Sequence, residues 1–149
     1  MDPADELATA LDGAIAPWVE RCVVRLMTAY QGDVPSDVLA AAQDAGRRAR
    51  ADVGAELREF LALDVDRQAT NPLAILRAAV RYPTAVLRAA GVPPVHRDDF
   101  KEQAFPDDVY DLGPATWKDV DPALQEPGIV WSAWKAKTVL DRRRAEGRR

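Results

Sequence analysis

His96 is the only histidine in the chain, and it stands just before Asp98 and Asp99 in a stretch that also carries Asp107, Asp108 and Asp111. A histidine paired with a carboxylate can act as a general base, and three or four such groups can hold a divalent cation. His96, Asp98 and Asp108 are therefore the residues that a small helical enzyme would use. Asp107 and Asp111 would share a face on one helical turn, as a magnesium site or a carboxylate dyad requires. Neither arrangement amounts to a signature. No run of oxygen ligands ends in a glutamate at calcium-loop spacing. One histidine and one cysteine supply too few nitrogen and sulfur ligands for structural zinc. Capping of short turns and pairing with arginines explain these acids more simply, so no catalytic residue, metal or cofactor is assigned.

Arg77, Arg81 and Arg88 form the second candidate. Residues 67–95 hold four arginines and no acid, so the local field is positive. Arg77 and Arg81 are four apart and could grip a phosphate or carboxylate in bidentate fashion, which would make the patch an anion or nucleotide-ligand site. The charge map offers a competing explanation. Residues 1–66, 67–95, 96–130 and 131–149 carry net charges of -7, +4, -6 and +5. Pairing of the acids in 96–130 with the arginines of 67–95 is the expected outcome. A nucleic-acid partner is disfavoured, because the chain is net acidic with a pI near 5.0 and lacks a broad basic surface.

Trp131 and Trp134 form the third. A tryptophan pair on one helix face either anchors a protein partner or pins a last helix to its own core. Cys22 falls between Trp18 and Leu26 on an apolar face, where a thiol behaves as a small hydrophobe rather than a nucleophile. A lone cysteine also excludes an internal disulfide. Glycine-rich phosphate loops, nucleophile elbows and dinucleotide fingerprints are absent. No apolar run approaches the ~20 residues that span a bilayer. The acidic opening Met1-Asp2-Pro3-Ala4-Asp5-Glu6 lacks the basic and apolar regions of a signal peptide, which sets the expected location in the cytoplasm.

The elements that must position these residues are helical. Asp2-Pro3 is a helix start, and Leu7, Leu11, Ile15, Trp18, Cys22 and Leu26 repeat at three or four residues. A second line, Val19, Val23, Met27 and Tyr30, widens the apolar arc after Pro17. Pro17 is expected to kink this helix or open a second one, and Gly32 to stop it. A second helix spans about 36–63, with the stripe Leu39, Ala42, Gly46, Ala49, Val53, Leu57 and Phe60 and with Ala45 and Leu61 on its flank. Its small residues admit a close neighbour, and Asp44 and Arg48 are spaced for a surface pair. Asn71-Pro72 restarts the pattern, Tyr82-Pro83 is expected to interrupt it, and Gly91 with Pro93-Pro94 ends it.

From His96 to Gly128 the period is lost, and proline, glycine and aspartate punctuate short elements around Phe100, Phe105, Tyr110, Trp117 and Leu124. The aromatics there can bury real area, so the segment should pack rather than remain disordered. Residues 129–144 read as a final basic helix. The alternation of strands is missing. The expectation is one all-α domain over 1–149: a helical scaffold (1–95), a wrapping segment of short helices and turns (96–128), a basic helix (129–146) and a frayed tail (147–149). Three to four longer helices form the bundle.

Three stretches carry a resemblance. They are Ala78-Ala79-Val80-Arg81-Tyr82-Pro83-Thr84-Ala85-Val86-Leu87-Arg88-Ala89-Ala90-Gly91-Val92-Pro93-Pro94, Phe105-Pro106-Asp107-Asp108-Val109-Tyr110-Asp111-Leu112, and Asp121-Pro122-Ala123-Leu124-Gln125-Glu126-Pro127-Gly128. Together they resemble a small uncharacterised conserved family of high-GC actinobacteria, over roughly the second half of the chain. The resemblance agrees with a cytoplasmic location and brings no activity, cofactor or catalytic residue with it. What remains is a non-enzymatic interaction or regulatory protein, whose partner is another protein or a second copy of the chain. The alternatives are a small helical enzyme built on His96 and carboxylates, with or without a divalent cation, and an anion or nucleotide-ligand binder at Arg77, Arg81 and Arg88.

Overall fold

The computed structural model describes residues 2–94 and 108–147. Helix α1 spans Pro3–Gln31. The Asp2 carboxylate accepts from the Ala4 N–H at 2.9 Å, and Pro3 opens the first turn, where no N–H is needed. Gly32 closes the helix with φ +84°, a left-handed conformation that glycine adopts without strain, and donates to the Thr28 carbonyl. Pro17 does not open a second helix, because α1 runs through it. Pro17 and Gly13 are both exposed, so the carbonyl that the proline strands can reach water. Leu7, Leu11 and Ile15 before it, and Trp18, Val19, Val23 and Met27 after it, are all buried in one core. That shared burial offsets the roughly 3 kcal/mol that a proline costs inside an isolated helix.

Helix α2, Ser36–Ala62, buries Val38, Ala42, Ala45, Gly46, Ala49, Val53, Gly54, Leu57 and Leu61. It forms the largest helix–helix interface, with α1. The small-residue stretch does what its composition foretold: a Cβ placed on Gly46 would lie 3.0 Å from the Ala16 carbonyl oxygen. Leu39 departs from expectation and is 40% exposed. It lies at the end of the pair where Thr28, Ala29, Tyr30 and Gln31 of α1 are themselves exposed, and Val38 is buried instead. The Asp44–Arg48 pair forms on the exposed surface.

Helix α3 spans Pro72–Leu76 and is capped by the Asn71 side chain, which accepts from the Leu73 N–H at 2.8 Å. A 3₁₀ turn, Arg77–Val80, leads into α4, Arg81–Ala89. The irregularity expected at Tyr82-Pro83 therefore falls one turn earlier. A proline ring crowds the carbonyl four residues before it, here that of Ala79, and the tighter turn accommodates this before the proline rather than at it. After α4, the Gly91 N–H bonds to the Arg88 carbonyl and the Val92 N–H to the Leu87 carbonyl, with Gly91 at φ +82°. This double closure ties down the helix end, and Val92 is buried beside it. Helix α4 packs on both α1 and α2.

The C-terminal portion begins at Asp108 with turns that lead into α5, Trp117–Val120, which carries a reciprocal Thr116–Asp119 cap. A 3₁₀ turn over Pro122–Leu124 follows, and then α6, Gln125–Gly147. The final helix thus starts four residues before the expected Ile129, and Pro127-Gly128 lies inside it. Proline in a first turn forfeits no hydrogen bond. Gly128 serves packing: a Cβ there would sit 2.4 Å from Cδ1 of Trp117. The short elements pack on α1, where Arg21 donates to the Val120 carbonyl, and α6 packs on α1 as well. The result is an all-helical compact domain in which, among the described residues, no strand occurs.

Candidate functional site

Helix α6 has two apolar faces. Trp131 is buried, and Trp134 and Thr138 are half-buried on the same side, turned to the core. Ile129, Ala133, Ala136 and Leu140 are spaced by four, three and four residues, which aligns them along the opposite side. All four are exposed, Ile129 by 59% and Leu140 by 48%, and Val130 beside them by 40%. Lys137 and Arg144 flank this outward stripe on one side and Arg143 on the other, all exposed.

Next to the stripe lies an open groove of about 590 Å³ between α6 and residues 69–71, lined by Thr70, Trp131, Lys135, Val139, Leu140 and Arg143 among others. Lys135 lines it, with its ammonium 5.2 Å from the centroid of the Trp131 ring and 2.5 Å from the Gln68 carbonyl oxygen, to which it donates. Partial burial lowers the Lys135 pKa. Two buried polar atoms nearby have no hydrogen-bond partner among the described residues, the Trp131 indole Nε1 and Gln68 Oε1. The Gln68 amide nitrogen is occupied, because it donates to the Leu61 and Leu63 carbonyls at the end of α2.

The basic end of α6 is anchored. Arg142 donates to the carboxylates of both Asp64 and Asp66. The hydrogen bond from Arg142 holds the Asp64 carboxyl below its usual range. This pairing joins residues 131–149 to 1–66.

The other candidates separate in space. Arg77 Nε donates to the Pro114 carbonyl at 2.8 Å, toward the C-terminal segment. Arg81 turns to α2: it donates to the Tyr82 hydroxyl at 3.2 Å, which donates in turn to Asp52 at 2.6 Å, and Asp52 and Glu56 both act on its charge. Among the described residues, the acids that act on Arg81 lie on α2, and His96 to Asp107 of the acidic segment fall outside the described residues. Arg88 is exposed. Replacing Arg81 with Ala should cost no more than ~1 kcal/mol in urea denaturation, since its contacts are at the surface. A loss above ~2 kcal/mol would contradict that placement.

Asp108 is 9% exposed, and its carboxylate accepts from the backbone N–H groups of Leu112 and Gly113. It closes the turn that holds Tyr110, whose hydroxyl donates to the Val92 carbonyl at 2.7 Å. Asp111 within that turn has φ +59°, a left-handed conformation that aspartate tolerates better than most residues. Asp108→Ala would leave two donors without their acceptor and should cost about 1–3 kcal/mol in thermal or urea unfolding. Mg²⁺ should leave the wild-type melting temperature unchanged if turn closure is the whole role of this acid. His96, Asp98 and Asp107 lie outside the described residues. Among the described residues, no group of three or more histidine, cysteine or acidic side chains could hold a metal. Burial pushes the Cys22 thiol up to about 12, against the lowering influence of Arg21 and Arg25, which leaves it a poor nucleophile at neutral pH.

Sequence reasoning singled out Trp131 and Trp134 but missed Ile129, Lys135, Leu140 and Arg143. The outward stripe was legible as a four-three-four spacing, yet the stronger tryptophan pattern on the other side masked it. No family model, no curated protein and no solved structure matches this chain. The class that its geometry defines is an all-helical domain whose last helix carries exposed apolar residues, Ile129, Val130 and Leu140. Among the described residues, no helix is long and apolar enough to cross a membrane.

Proposed function

We propose that this chain is a non-enzymatic protein-interaction or regulatory module of the cytoplasm, and that the outward face of α6 is its working surface. One observation carries the reading: Ile129, Val130 and Leu140 remain exposed on a helix whose opposite side is already anchored by Trp131. A helix needs one apolar side to join a core; a second, contiguous with a groove, serves another molecule.

The test is capture from the source cell with wild-type protein and with the Leu140→Asp variant, alongside light scattering to read the oligomeric state. The expected result is a stoichiometric protein partner, or a second copy, that is retained by the wild type and lost from the variant while the melting temperature holds. Recovery of the wild type alone as a monomer would refute the reading. So would equal capture by both proteins, since the partner would then bind elsewhere.

A further inference from the structure

We infer that the outward stripe of α6 and the groove beside it dock an amphipathic helix whose apolar side is flanked by carboxylates, on a protein other than a second copy of this chain. The inference rests on the interaction reading above and names the chemistry of the partner. Shape and polarity define the apolar requirement. Ile129, Ala133, Ala136 and Leu140 make a straight exposed row, and Val139 and the edge of Trp131 extend it into the groove. A straight row on a helix, with small residues at its centre, suits a second helix laid along it.

Charge defines the rest. Lys137 and Arg144 border the row on one side and Arg143 on the other. Lys135 lines the groove, and its ammonium is partly desolvated, stacked on Trp131 and bonded to the Gln68 carbonyl oxygen. An ammonium held that way gains most from a carboxylate brought in by a partner. Arg142 is different, because Asp64 and Asp66 already meet it. A second copy is the wrong occupant. Lys137, Arg143 and Arg144 flank the row, so two α6 faces laid together would set these like charges against each other.

Two synthetic helical peptides provide the probe. They share one leucine row and differ only in carrying Glu or Lys along its flanks. Binding is read by fluorescence anisotropy at about 50 and 300 mM salt, where screening lengths differ roughly twofold. The Glu peptide should bind at least tenfold more tightly than the Lys peptide at low salt, and the gap should narrow at high salt. Arg143→Glu, at an exposed position, should shrink the preference severalfold, and Lys135→Gln should do the same. Circular dichroism checks that both variants remain folded; Arg143→Glu alone suffices should Lys135→Gln unfold. Equal affinity for the two peptides, or a preference that survives Arg143→Glu, overturns the inference. If the cellular partner is still lost with Leu140→Asp in that case, the interaction reading stands and only the acidic chemistry is wrong. If neither peptide binds and no cellular partner is captured, both fall together.

Discussion

Trp18→Ala should unfold more easily than wild type by ~3–5 kcal/mol, the cost of emptying a large aromatic site in a packed interior. Trp18 is 4% exposed and belongs to the one core that joins α1, α2, α4 and the C-terminal elements. It also lines the cleft where Tyr110, Leu112 and Pro114 lie against α1. Its loss should therefore loosen residues 108–114 before the α1–α2 pair. Equilibrium urea denaturation measures the total, and hydrogen exchange at 108–114 measures the local part. A loss below about 1 kcal/mol would show that Trp18 does not anchor this core.

Gly128→Ala sets two effects of opposite sign against each other. Inside a helix, alanine is favoured over glycine by roughly 1 kcal/mol. Here the new methyl would fall 2.4 Å from Cδ1, 2.5 Å from Nε1 and 2.7 Å from Cγ of Trp117. Cγ sits near the root of the side chain, so the ring cannot evade by moving its tip. It must leave its site or push α6 away. Overpacking of this kind costs about 1–3 kcal/mol after relaxation, so net destabilisation is expected, with a changed Trp117 fluorescence environment. A stabilised variant with unchanged fluorescence would mean that the glycine is there only as a helix-start residue. Gly13, where a Cβ would meet open space, is the control: Gly13→Ala should stabilise.

Much of the helical scaffold was legible because local signals agreed with tertiary need. Asp2-Pro3, Asn71-Pro72 and Gly32 act through bonds made within a few residues, so a reader of the chain finds them without knowing the neighbours. The buried rows of α1 and most of α2 follow from helical spacing alone. Prolines misled for the opposite reason. The effect of Pro17 depends on whether its stranded carbonyl meets water and whether the flanking residues share one core. Pro127 depends on where the first turn begins. Neither fact is local.

The candidate surface was harder to read. Trp131 and Trp134 stand out by size, but whether a tryptophan faces the core or a partner depends on which side of α6 meets α1. Lys135 looks like an ordinary surface lysine until residues 68–71 are folded over against it. By itself, the sequence determined the helix-only architecture, the start and stop of α1, the start of α3 and the basic character of the last helix, because each is set by side-chain type and short-range bonding. The tertiary structure alone decided that α6 begins at Gln125, that Gly128 makes room for Trp117, that Arg142 pairs with Asp64 and Asp66, and that Ile129 and Leu140 are left facing water. Those outcomes are set by contacts between residues far apart in the chain, and helical periodicity carries no information about which of two apolar faces a core will cover.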